Sequence, residues 1–433
     1  MTHPIKEILS KRQDGISSGI ASYCTSNKIV LESILEYYLE KDEYVLIECT
    51  ANQVNQFGGY MNMTPSDFRD YIYDIADNIC FPKERIILGA DHFGPLVWAD
   101  KDENEAMENA KELLRLAVLA GYTKIHLDTS MFLGSDDTSK KLSDDIIARR
   151  GAILYKVCEE AFAERIEQYP DSIHPVYVIG SEVPIPGGEY EEKNTLEVTR
   201  PVDFENTINA YDEIFKEYGL NNAWDYIIAV VVQPGVEFSN EDIHDYNRAQ
   251  AKDLCDKLKE YPNLVFEGHS TDYQFAEKLK EMVEDGVAIL KVGPAVTYAL
   301  REGLFSLSLI EKELIKETSK RANFIETLDE LMIKDPKDWE KYCAGSELEK
   351  EIGRKYSFSD RSRYYMARDE INSSIDKLFE NLDSFDISLG MIKQYFPKAY
   401  LKIRARKISK NAKNLLKSNI NDVINDYDYA IEN

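Results

Sequence analysis

Ile86-Ile87-Leu88-Gly89-Ala90-Asp91-His92-Phe93-Gly94-Pro95 is the stretch on which the fold turns. An apolar run of strand length stops on an acid and an imidazole, and glycine and proline break it at once, as at the end of a buried strand. Asp91 and His92 therefore bring a proton carrier and a metal ligand into one small volume.

The same grammar recurs along the chain. Short apolar runs finish on polar groups at residues 16–23, 44–48, 86–91, 124–128, 176–182, 227–233, 264–269 and 288–291. The first, rich in serine and glycine, is the weakest. Stretches of about 15 to 45 residues with helical periodicity separate the runs, as crossovers between parallel strands require. Eight such units over roughly three hundred residues predict an α/β fold, a closed (β/α)8 TIM barrel with its polar residues at the C-terminal mouth. An open doubly wound sheet is the alternative, lowered by the lack of a glycine-rich phosphate fingerprint after the first strand. From Leu304 onward alternation gives way to helical patterns. The expected organisation is a barrel over 1–303 and a helical extension over 304–433 that covers the mouth.

A chain of 433 residues, 43 % of them hydrophobic, can bury one large core with an appendage. Its formal charge of −26 opposes general binding to nucleic acid or to an anionic membrane. The six cysteines show no C-x-x-C spacing, which favours reduced thiols in a cytoplasm; Cys24 and Cys49, near strand ends, read as small apolar packing. No signal peptide or membrane-length apolar run occurs, so the expectation is a cytoplasmic protein.

Candidate site residues follow from the strand ends. The second strand delivers Glu48, and the amide-rich loop after it offers Asn52 and Gln53 to sugar hydroxyls or to its own turn. The fourth brings Asp128 and Ser130 toward substrate, with His126 preferred as an interior imidazole over a ligand. Glu182 ends the fifth strand before a proline- and glycine-rich turn. Gln233, ending the sixth, is a weak metal donor. His269 ends the seventh and Lys291 the eighth. Gly268, Ser270, Thr271, Gly293 and the helix start at Ala295 stand where barrels commonly bind phosphate, or serve as tight-turn residues. Arg361 and Arg363, among aromatics in the extension, are candidates for a second phosphate or for a surface pairing with Asp360. The basic run 398–417 reads as a solvated helix face.

Several long segments carry a resemblance: ERIILGADHFGP, KIHLDTSM, YVIGSEVPIPGGE, VVVQPGVEF, EGHSTDYQ, ILKVGPAVTYALRE and YSFSDRSRYYM are similar to the Z-type (GatZ/KbaZ-like) subunits of tagatose-1,6-bisphosphate aldolase. The resemblance covers nearly the whole chain. It implies a class II aldolase-like barrel in tagatose or galactitol catabolism, a sugar-phosphate substrate, a divalent metal (Zn, Mn or Mg), a catalytic Y-type aldolase subunit as partner, and self-association as a further option. In the more distantly similar class II aldolases an Asp-His pair and two later histidines make the zinc site. Asp91 and His92 match the pair and His269 the last histidine, while Gln233 falls where the middle histidine would be, so that either the site binds metal weakly or Glu182 or Glu48 completes it. Gly187, Gly188 and Glu189 resemble the aldolases' G-G-E turn. Two activities are compatible with the resemblance: an accessory aldolase component, or a metal-dependent ketose-phosphate 4-epimerase acting by retro-aldol cleavage and re-addition. In the latter Asp91 and Glu182 would shuttle the C4 hydroxyl proton.

Overall fold

Residues 2–181 and 196–432 are described by a computed structural model. Its strands are β1 (Ile20–Cys24), β2 (Val45–Thr50), β3 (Ile86–Phe93), β4 (Lys124–Leu127), β5 (Val176–Ile179), β6 (Ile227–Val232), β7 (Glu237–Phe238), β8 (Ile243–His244), β9 (Val265–Gly268) and β10 (Val287–Val292). Eight of them close a parallel barrel in the order β1-β10-β9-β6-β5-β4-β3-β2, and β7 and β8 form a separate two-stranded hairpin. The predicted (β/α)8 barrel is therefore the observed fold. The first strand is shorter than expected: Ile16 is exposed and pairing begins at Ile20, because the serine- and glycine-bearing residues before it approach the barrel as a loop.

Crossover helices begin and end where the local chemistry dictates. Asn27 caps Lys28–Leu39 through the Ile29 and Val30 amides. Thr64 and Asp67 form a capping box on Pro65–Asn78. Gly121, at φ +97°, closes Glu103–Ala120.

Alternate residues along each strand point into the barrel, and they change character with height. Near the N-terminal end Ile20, Leu46, Ile87, Val176, Ile228, Val265 and Ile289 form an apolar layer, closed from below by Ile5 on the helix Pro4–Ser10. Two residues further up the same faces stand Ser22, Glu48, Glu267 and Lys291, with Lys124 at the start of β4, all buried. Glycine at 89 makes room for this layer, since a Cβ there would lie 2.4 Å from Glu48 Oε1.

The helix Pro294–Leu314 runs unbroken through residue 303, so the expected boundary at 303/304 falls inside one continuous element. Beyond it the chain is helical to Ile431, and the last helix, Ala412–Ile431, returns to the barrel, where the Tyr427 hydroxyl donates to Thr271 O (2.9 Å). Lys402 and Lys417, in the basic run, pair with Asp422 and Glu36 on neighbouring helices. No helix among the described residues is long and apolar enough to cross a membrane.

Candidate cation and sugar-phosphate site

A cavity of about 480 Å³ opens at the C-terminal mouth, floored by Asp91, His92, His269 and Lys291 and walled by Asn52, Gln53, Ser270, Gly293, Arg361 and Arg363. Both arginines come from the helical extension, which thus contributes to the mouth.

Three imidazoles meet at the floor. Ring centroids lie 4.7 Å apart for His92 and His269, and 5.2 Å apart from each of these to His126. His92 occupies the left-handed region at φ +49°, beside a register shift between β3 and β4. A non-glycine residue there is strained by about 1–3 kcal/mol, and such strain gathers at functional sites. Carboxylates hold the rings. His92 Nδ1–H donates to Asp128 Oδ2 (2.8 Å) and His269 Nε2–H to Glu267 Oε1 (2.9 Å). The Ser130 hydroxyl and amide in turn donate to Asp128 Oδ1. These bonds fix both tautomers and leave His92 Nε2 and His269 Nδ1 facing each other at 3.1 Å. The two nitrogens share a proton when His92 is the imidazolium, and a metal ion can take that proton's place between them. His126 Nε2, fully buried, meets no hydrogen-bond partner, and Asp91 Oδ1 stands 3.5 Å from His126 Nδ1.

Electrostatics point the same way. Four buried carboxylates, Glu48, Asp91, Asp128 and Glu267, face two buried ammonium groups, Lys124 and Lys291. Lys291 pairs with Glu48 and, at 3.0 Å, with Asp91 Oδ1. Lys124 lies 2.9 Å from Glu48 Oε1 and 2.5 Å from Glu267 Oε2. Burial opposes ionisation of Asp91 and Asp128, yet the adjacent imidazoles hold both well below the usual carboxylate range. Burial also opposes the His92 imidazolium, but Asp91 and Asp128 override it and push His92 up, whereas burial keeps His269 down. Desolvation pulls Lys291 down to about 7, against the attraction of the neighbouring Cys24 thiol. One donor atom each from Asp91, His126, Glu267 and His269 lies within 4.8 Å of the others. This convergence of buried donor atoms, with imidazoles and carboxylates able to give up their protons to an ion, makes the cluster fit for a metal.

Several expectations are corrected by position. Gln233 is no ligand: its Oε1 accepts from the Gly235 and Val236 amides (2.8 and 3.0 Å), so its own turn consumes it. Glu48 is fully buried below the cavity, accepts from the Ser22 hydroxyl and forms ion pairs with the two lysines rather than meeting the cavity. Ser130 serves Asp128. Thr271 donates to Lys291 O (2.6 Å), and a Cβ on Gly268 would lie 2.7 Å from Val287 Cγ1, so both belong to packing. The amides of Gly293 and Ala295, expected to cradle phosphate, donate to Asp272 Oδ1 (3.0 and 2.8 Å). Cys24 lines the cavity instead of packing in the core. Glu182, Gly187, Gly188 and Glu189 lie outside the described residues.

Four participants escaped the sequence. His126 carries no signal of its own: both faces of a barrel strand are buried, so alternation cannot tell lumen from helix side. Glu267 was legible as the residue two before His269, hence on its face. Lys124 opens a strand, where a lysine ordinarily marks solvent. Asp272 caps a helix 21 residues away, a pairing only the fold creates.

Fold and cluster together define a (β/α)8 barrel with a cation-competent, charge-rich floor beneath a sugar-sized cavity. The chain belongs to the family described as D-tagatose-1,6-bisphosphate aldolase subunit GatZ/KbaZ-like, whose model matches residues 5–432. Proteins named D-tagatose-1,6-bisphosphate aldolase subunit GatZ from Salmonella agona and Salmonella typhimurium are among its relatives. The first is 42 % identical over 426 residues, 98 % of this chain and 99 % of its own. The second matches at the same identity and coverage. A crystal structure described as a probable tagatose 6 phosphate kinase from Sinorhizobium meliloti 1021 superposes with a TM-score of 0.86 at 38 % identity, covering 95 % of this chain and 100 % of that one.

Proposed function

We propose that this chain is the Z-type component of a tagatose-1,6-bisphosphate aldolase, binding a phosphorylated ketose above a divalent-cation site and working beside a catalytic aldolase subunit. The observation that carries this reading is the pair of carboxylate-anchored imidazoles, His92 and His269, facing each other at 3.1 Å on the cavity floor. The relatives' names favour the aldolase-component reading over the 4-epimerase alternative.

Asp91, His126 and His269 would hold the ion, with His92 presented to the same space by Asp128 and His269 anchored from behind by Glu267; Zn, Mn and Mg are the candidates. When bound, such an ion polarises a ketose carbonyl and stabilises negative charge developing on its oxygen. Asp91, kept ionised at the floor, is placed to take a proton from a sugar hydroxyl, and the Lys291 ammonium beside it returns positive charge to the same spot. In the 4-epimerase alternative Glu182 would be the second proton-handling carboxylate. Asn52 and Gln53 orient hydroxyls. Arg361 and Arg363 take a phosphate on the opposite wall, where Arg363 is braced by Asp360 O (3.0 Å) and the Tyr364 hydroxyl (3.1 Å).

Calorimetric titration with tagatose 1,6-bisphosphate, followed by assay of a catalytic aldolase subunit with and without this chain, tests the proposal. The expected result is binding that is lost in EDTA and in Asp91→Asn, with cleavage by the aldolase faster or longer-lived on mixing. Absence of binding together with an unaltered aldolase would overturn it.

A further inference from the structure

Lys124 is the first residue of β4, yet its side chain is fully enclosed by the barrel and takes no part in lining the cavity. A bound sugar cannot touch it. An ammonium in so dry a place needs counter-charges, and it has two, Glu48 Oε1 at 2.9 Å and Glu267 Oε2 at 2.5 Å. The second contact matters for chemistry, because the other oxygen of Glu267 accepts from His269 Nε2 (2.9 Å). A carboxylate with one oxygen on an ammonium and the other on an imidazole cannot turn about its terminal bond without breaking one of them. Glu48 is itself immobilised by the Ser22 hydroxyl (2.5 Å) and by Lys291, so the ammonium has a fixed support on its far side.

We propose that Lys124 is a positioning residue of the cation site: by pinning Glu267 Oε2 it fixes Glu267 Oε1, and through it the ring plane and tautomer of His269. It acts from beneath, touching neither cation nor sugar. The lysine thus sets how well His269 Nδ1 is aimed at the space it shares with His92 Nε2. Neutralising core charge is the role a merely structural lysine would have, and that role does not depend on Glu267 in particular. The inference rests on the cation reading of the cluster.

Removing Lys124 alone leaves one excess buried negative charge shared by Glu48 and Glu267 and endangers folding, so the test uses charge-balanced pairs. Co²⁺ affinity is measured by competition with a chromophoric chelator for the parent, Glu48→Gln, Glu267→Gln, Lys124→Met/Glu48→Gln and Lys124→Met/Glu267→Gln. Loss of an outer partner of a metal-bound histidine weakens binding by about 10–100-fold. That loss is expected when Lys124→Met is added to Glu48→Gln, where Glu267 is still present to be mispositioned. Added to Glu267→Gln it should change affinity by less than about twofold, because the residue through which it acts is already gone. The visible Co²⁺ spectrum should change in the first background and not in the second. Undiminished affinity in the first background, or a further loss of about tenfold in the second, overturns the inference. A parent that takes up no Co²⁺ sinks the cation reading and this inference together; a parent that binds while Lys124→Met has no effect beside Glu48→Gln sinks the inference alone.

Discussion

The two ends of the barrel are built on the same strands and solve opposite problems. Leu46 and Glu48 share a face of β2, Ile289 and Lys291 a face of β10, and Val265 and Glu267 a face of β9. At the lower level all of these are aliphatic, and the layer excludes water above a single short helix that closes the barrel from below. At the upper level they are charged and just as deeply buried, and their stability rests on pairing each charge with another across the lumen. A dry, fully paired layer lends the site its preorganisation, and an apolar layer below lets the barrel carry that layer. Moving two residues along a strand thus separates stability from chemistry.

Changes that respect this division should have separable effects. Leu46→Ala is expected to have the largest effect on folding, about 2–5 kcal/mol by denaturant titration, while Co²⁺ affinity of the folded protein stays within about twofold. Loss of metal binding in that variant would break the separation of the two ends. A smaller effect is expected at the mouth. Burial raises the Asp272 carboxyl from 3.8 to about 6, despite the Gly293 and Ala295 amides that favour its charged form. Its folded pKa lies above the unfolded one, so between these values the folded chain holds a proton that the unfolded chain has released. The group favours folding below that window, and its contribution is lost as pH rises through it. Asp272→Asn keeps an oxygen for the two amides and removes the titration, so relative to the parent it should gain on the order of 2–3 kcal/mol between pH 4 and 7. Parallel stability profiles for the two proteins would contradict this.

The fold was legible because barrel strands are apolar runs that end abruptly on polar groups, and Asp91-His92, Glu267-Gly268-His269 and Lys291 each mark such an end. Alternation also carried the inward set once the face of one member was known, as Glu267 follows from His269. What failed was the inference from type to role. Gln233 looked like a displaced ligand, but a glutamine before proline and glycine finds turn amides closer than any ion. Gly293 and Ala295 looked like a phosphate cradle, but a carboxylate from the preceding strand end reached them first. Both errors arise from hydrogen-bond partners distant in sequence or hidden in a turn, which periodicity does not encode.

Anomalous diffraction from crystals soaked in zinc tests the central claim most directly. The account predicts a single strong peak on the barrel floor, within about 2.0–2.3 Å of a His269 nitrogen and of donors from Asp91 and His126. A peak beside Gln233, or none at the floor, would contradict it.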